Sequence, residues 1–286
     1  MERLSRLDAM GGWIAAASIV AFAMMAAGSA SAQIANTKHN LGSGGLGLVK
    51  TTSTSEICVF CHTPHGGNSA TSAPLWNRGI PASSSYTLYD GTGDGTRPST
   101  LDGVNNTGTL LSVGTISALC LSCHDGSTAL DLLINAPGSG GYNATGAAQG
   151  WTFNGGTTMP AGVTRLGTDL KDDHPIGVAY CGGKKASATY NISIALTGGA
   201  AGVCKDEDFN NTATPASGFF WVDTTVGTTG TREKTDMILY VRDFGTGTSL
   251  WPSVECGSCH DPHSSNATFL RMANTGSGVC LTCHNK

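Results

Sequence analysis

Apolar residues in this 286-residue chain come in short, separated runs rather than in a sustained helical or alternating period. The longest runs from Trp13 to Ala27. It follows Arg3 and Arg6 and ends at Ala30-Ser31-Ala32, the layout of a secretory signal whose mature chain begins at Gln33. A membrane span wants about 20 apolar residues, so cleavage is expected rather than retention as an anchor. Two later runs, Gly218-Phe219-Phe220-Trp221-Val222 and Met237-Ile238-Leu239-Tyr240-Val241, read as strands. The turn-rich Gly227-Thr228-Thr229-Gly230 would join them into a small antiparallel patch. Ala129 to Asn135 reads as one short helix. Elsewhere Gly, Ser, Thr and Asn crowd the segments, and long amphipathic helices are scarce.

Such a pattern leaves little to build a conventional core, and composition sharpens the point. Charged residues make up 13% and glycine numbers 40, so much of the apolar interior is expected to come from bound cofactor. The formal charge of −4, with no dense Lys/Arg stretch, gives no footing for a nucleic-acid partner. No nucleophile, acid/base pair or phosphate loop stands out, because the glycine-rich stretches sit in turns without a strand-to-helix context. Catalysis is therefore not expected. Five Asn-x-Ser/Thr sequons, at Asn105, Asn143, Asn191, Asn210 and Asn266, follow from a chain rich in these residues.

The candidate chemistry lies in cysteine and histidine. Four Cys-x-x-Cys-His stretches occur: Cys58 to His62, Cys120 to His124, Cys256 to His260 and Cys280 to His284. Each reads as a c-type haem attachment site, and chance would give roughly 0.01 such matches in a chain of this composition. Two thiols about one turn apart can add to the two vinyl groups on one porphyrin edge, and the next residue, histidine, then points at the iron. Cys58, Cys61, Cys120, Cys123, Cys256, Cys259, Cys280 and Cys283 are the expected attachment points of four haem c groups. His62, His124, His260 and His284 are the expected proximal ligands. A zinc site built from the same pairs is the weaker alternative.

Four histidines remain for four open axial positions: His39, His65, His174 and His263. If all four serve, every iron lies between two imidazoles, an arrangement suited to low-potential electron transfer and closed to substrate. His65 and His263 lie in Cys-x-x-Cys-His-x-Pro-His stretches, too near their own proximal histidine to reach round its haem, so they are expected to serve a neighbouring iron. The prolines stiffen that bridge. His174, in Asp172-Asp173-His174-Pro175, is expected to present its ring from a loop, with a plain turn residue as the alternative. Met159, Met237 and Met272 are available but not required. Asp125 and Asp261, directly after proximal histidines, are read as turn or cap residues ahead of ring-orienting partners. Cys181 and Cys204 are left over and read first as a disulfide in an oxidising compartment, worth about 3 kcal/mol in the chain-entropy picture.

The mature chain then divides into three parts. Residues 33–126 carry an N-terminal arm and the first two motifs, 127–250 form a Gly/Thr-rich insert bearing His174, and 251–286 carry the last two motifs. The outer parts look duplicated, each with a Cys-x-x-Cys-His-x-Pro-His site followed by a Cys-Leu-x-Cys-His site.

The doubled motifs resemble a known family. Asn36-Thr37-Lys38-His39, Pro74-Leu75-Trp76-Asn77-Arg78, Asp173-His174-Pro175 and Cys280-Leu281-Thr282-Cys283-His284 are similar to stretches of secreted tetrahaem cytochromes of the OmcE-like type. The resemblance covers most of the mature chain and is weakest in the insert. It implies a multihaem cytochrome c fold: mostly coil, with short helices at the haem sites and little sheet, the small β patch in the insert aside. It also implies that the chain is the subunit of an extracellular electron-conducting filament, exchanging electrons with redox proteins or extracellular acceptors. In related filaments a ligand crosses the subunit interface. His39, on a polar arm ahead of Gly42-Ser43-Gly44-Gly45, is the residue expected to do so here. A monomeric periplasmic shuttle, a membrane-anchored quinol dehydrogenase and a multihaem reductase are the competing readings. The last needs an open iron, against the balance of eight histidines.

Overall fold

The computed structural model describes residues 33–82, 85–88, 113–138, 141–180, 209–210, 212–213, 220–225, 231–243 and 250–285. The expected signal segment and the Cys181–Cys204 pair lie outside them. Gln33–Lys286 forms one compact unit.

Regular structure is sparse, as a chain this rich in glycine and short polar residues dictates. The longest helix among the described residues, α1, spans Thr115–His124 and carries the second attachment motif at its end. Ser117, Ala118, Leu121 and Ser122 fall on its buried side at i, i+1, i+4 and i+5 spacing. Single turns form at the other motifs: a 3-10 turn at Cys58–Phe60, α2 at Cys256–Cys259 and α3 at Gly278–Cys283. Glu255 and Ser258 cap α2 reciprocally, each side chain bonding the other's backbone N–H.

Strands are small and antiparallel. β1 (Leu132–Asn135) pairs with β2 (Tyr142–Ala148), with an irregularity between Leu133 and Asn135. The second sheet is ordered β3 (Val178–Ala179), β6 (Leu250–Val254), β5 (Met237–Asp243), β4 (Phe220–Val222). The described parts of both strands expected from the sequence are present, and Trp221 lies opposite Ile238. β6 begins at the expected boundary between insert and second two-haem unit and is hydrogen-bonded to both β3 and β5. Insert and second unit thus share one sheet.

The helix expected over Ala129 to Asn135 is instead a turn followed by β1. A helix needs the carbonyls of its first turn for its own N–H groups, and here the Arg78 guanidinium takes those of Ala129 and Leu130. The Leu130 N–H goes to Thr157 and the Ile134 N–H to Asn77. A seven-residue helix is too short to hold against such partners.

Among the described residues the interior is split into three apolar clusters, two of which flank attachment cysteines. Val59, Phe60, Leu130, Leu133, Phe153 and Met159 pack beside Cys61 and Cys123. Tyr180, Val222, Met237, Leu239 and Val279 pack beside Cys259 and Cys283. A third cluster, centred on Leu121, Leu170 and Val178, lies under α1.

Candidate haem-binding site

Each Cys-x-x-Cys-His stretch is a single helical turn. The histidine N–H returns to the carbonyl of the first cysteine at His62 (2.7 Å), His260 (3.0 Å) and His284 (2.8 Å), which brings the two thiols onto one edge of the turn. The third loop is tight at its second position, where an added Cβ would force a neighbour to shift. A Cβ on Gly257 would come within 2.6 Å of the Tyr240 hydroxyl and 2.9 Å of Ile116.

A crossing segment holds each motif, and at three of the four a carbonyl reaches the histidine ring. At the first motif His62 pairs with Trp76 in a short antiparallel ladder. Thr63 N–H bonds the Leu75 carbonyl, Asn77 N–H bonds the Cys61 carbonyl, and the Pro74 carbonyl lies 2.8 Å from His62 Nδ1. The third motif repeats the same device. His260 pairs with Leu270, Asp261 N–H bonds Phe269, Arg271 N–H bonds Cys259, and the Thr268 carbonyl lies 2.8 Å from His260 Nδ1. Leu75 and Phe269, at equivalent places, both have positive φ, 53° and 59°. Hydrogen bonding therefore reproduces the duplication seen in the sequence. At the second motif the Thr164 carbonyl holds His124 Nδ1 at 2.6 Å; at the fourth, Asn210 bonds the Cys283, Thr282 and Leu281 backbone beside His284. A carbonyl on Nδ1 fixes the proton there and turns Nε2, with its lone pair, outward as a metal donor.

Three of the four distal candidates lie close to proximal rings. His39 lies 6.3 Å from His124 between ring centres at 72°. His263 lies 6.2 Å from His62 at 19°, and His174 lies 6.4 Å from His284 at 71°. Two imidazoles sharing one metal, each with a nitrogen about 2 Å away, have centres about 6 Å apart. The three pairs fit an iron between two histidines. Each distal ring is also restrained at Nδ1: His174 by the Pro175 carbonyl at 3.0 Å, His263 by Asp261 at 3.4 Å, and His39 by the Pro262 carbonyl at 3.5 Å. Asp261 thus works both ways considered from the sequence, as a turn acceptor for the His263 N–H and as partner of a ring, though the distal one. Asp125 is a turn residue that accepts from Ser127 and Thr128. Burial pushes its carboxyl up, but those donors prevail and hold it below the usual range.

His39 lies folded against its own chain. It does not extend from a free arm but stacks 4.0 Å on Phe269 and faces His124 of its own chain. The arm is folded down because Asn40, 3% exposed, bonds back to Ala35 and the Leu41 carbonyl receives the Thr51 N–H. Burial, and then His124, push the His39 pKa down to about 4, so it stays neutral and able to donate to a metal at neutral pH. His65 and His260 are not brought together. His65 is exposed, with its carbonyl pinned by Asn135, and among the described residues no other ring stacks on or abuts either imidazole.

The attachment sites follow one another in space as in sequence. Cys61 is near Cys123, Cys120 is near Cys256, and Cys259 is near Cys283. Burial, then Cys123, push the Cys61 thiol up to about 12; burial, then Cys259, push Cys283 up to about 12. Among the described residues no three His, Cys, Asp or Glu side chains are grouped for one ion. Paired thiols beside an outward Nε2 suit thioether attachment.

The profile described as a doubled CXXCH motif matches residues 253–286. The match suggests a multihaem c-type cytochrome. The CXXCH motifs indicate covalently bound haem c, and with it electron transfer. No curated protein sequence matches the chain.

Residues that sequence reading did not single out do much of the positioning. The Arg78 guanidinium, fully buried, bonds Ser122 Oγ and the carbonyls of Ser122, Leu130 and Ala129. It locks the first ladder to the second motif. Arg271 does the corresponding work on Gly257 inside the third motif, at 2.9 and 2.8 Å. Glu255 reaches Ser117 on α1, whose hydroxyl also accepts the Cys256 N–H, joining second and third motifs. Pro74-Leu75-Trp76-Asn77-Arg78 was visible as a family-like stretch; the jobs of its residues were not.

Proposed function

We propose that this chain is an exported four-haem electron-transfer protein whose copies associate end to end into a conducting filament. The observation that carries the first part is the common 6.2–6.4 Å separation of three imidazole pairs. Haem c, when bound, supplies a one-electron ferric/ferrous couple. Its thioether points would be the eight motif cysteines. His39 with His124, His62 with His263, and His174 with His284 would hold three irons from both sides. At these three irons a substrate would find no open face, which favours electron transfer over a reductase there. Carbonyls of Pro74, Thr164 and Thr268 keep the proximal rings from turning, so little reorganisation accompanies a change of charge. The test is a haem count with peptide mass mapping: four haems per chain, one on each motif, is the expected result, and three or fewer contradicts it.

The second part rests on what the pairs leave over. One proximal histidine, His260, and one distal histidine, His65, remain per chain, one acceptor site and one donor. A heterologous contact joining donor to acceptor need not close and then gives a fibre. The likeness to filament-forming cytochromes points the same way, with His65 in the crossing role first expected of His39. His65→Ala should abolish filaments seen by negative-stain microscopy while leaving three haems low-spin; filaments of normal length would sink the assignment. Export is tested by N-terminal sequencing of the mature protein, expected to start at Gln33. A monomeric shuttle remains the reading if secreted material never polymerises.

A further inference from the structure

Trp76 is 9% exposed, and its indole Nε1–H meets no acceptor among the described residues. An indole N–H usually finds a partner when buried, because leaving it unsatisfied costs about 1–3 kcal/mol. Its neighbourhood says what the partner is. Trp76 is cross-strand partner to His62, so the two rings leave the ladder side by side, 6.0 Å apart and at 89°. The indole therefore lies beside the ring that would carry the first iron. On haem c the pyrrole nitrogens are engaged by iron and the thioether sulfurs accept only weakly. Its strong acceptors are two propionate carboxylates.

The duplicated unit supplies a control. Leu270 occupies the place of Trp76 in the second ladder, opposite His260, so the position needs bulk but not an N–H. A donor has been placed at one of two otherwise equivalent sites. Trp221 on β4 is the other buried indole without a partner; its flanks, residues 214–219 and 226–230, lie outside the described residues, and it carries nothing comparable. From these observations we infer that Trp76 is a propionate-binding residue, its Nε1–H donating to a carboxylate of the haem attached at Cys58 and Cys61.

A donor stabilises the ionised carboxylate and lowers its pKa. Without it, the propionate takes up a proton at higher pH, and the potential of that one haem becomes pH-dependent across the neutral range. The proposal rests on the haem-attachment reading only at Cys58–Cys61, and mass mapping of that peptide separates the two failures. In the unsubstituted holoprotein, NMR should give a nuclear Overhauser contact between the Trp76 indole proton and propionate methylene protons of the first haem. Trp76→Phe and Trp76→Leu, the latter copying the second unit, should keep four haems and make one of four midpoint potentials slope with pH where the parent is flat. A loss of packing alone would not create that slope. Absence of the Overhauser contact, or unchanged profiles in loaded variants, overturns the proposal.

Discussion

Single residues decide the electronic character of each centre, because ring orientation at the iron follows from local hydrogen bonds. His62 and His263 are nearly parallel at 19°, whereas His39/His124 and His174/His284 cross at 72° and 71°. Parallel imidazole planes separate the two iron orbitals of π symmetry; crossed planes leave them close in energy. Electron paramagnetic resonance of the oxidised protein should then show one rhombic low-spin centre and two highly anisotropic ones, and three rhombic centres would contradict the pairing. Leu75 offers a second check. It is 49% exposed with φ of 53°, a backbone that β-branched residues avoid. Leu75→Val should lower stability relative to Leu75→Gly by about 1–2 kcal/mol in denaturant titration, and Phe269, whose φ is 59°, marks the same strain in the other ladder.

At the scale of elements, the fold is a set of short ladders and turns tied by a few buried polar groups. Arg78 is the clearest case. Arg78→Met would leave three carbonyls and a hydroxyl without their donors, and an expected loss of about 3–5 kcal/mol should appear as a lowered midpoint in urea. Arg271→Met, which frees only the Gly257 carbonyl, should lose about 1 kcal/mol. These ties also explain which elements could be read from sequence. Motif turns were legible because the spacing of Cys-x-x-Cys-His is itself one turn, and β4 with β5 because Phe220-Trp221-Val222 and Met237-Ile238-Leu239-Tyr240-Val241 are dense in strand formers. Residues 129–135 misled, since their apolar spacing does not record that a guanidinium 51 residues away in sequence claims the Ala129 carbonyl. The ladders crossing the first and third motifs were illegible for the same reason: they are made by backbone carbonyls, and a carbonyl has no letter.

For the whole molecule, duplication and unequal closure matter most. The two units share one hydrogen-bond plan, and attachment sites run I to IV in the order of the sequence. The number of histidines could be counted in advance; their pairing could not, because it depends on where the arm and the insert bring His39 and His174. With the arm folded onto Phe269, the proposed pairing puts the open position at His65 and His260. The central claim is that three irons close within a chain and the fourth only on association. Carbon monoxide uptake by the reduced protein, compared between assembled and dissociated material, tests it most directly. The account predicts none in filaments and one CO per four haems in dissociated chains; no binding in either state, or two or more per dissociated chain, would contradict it.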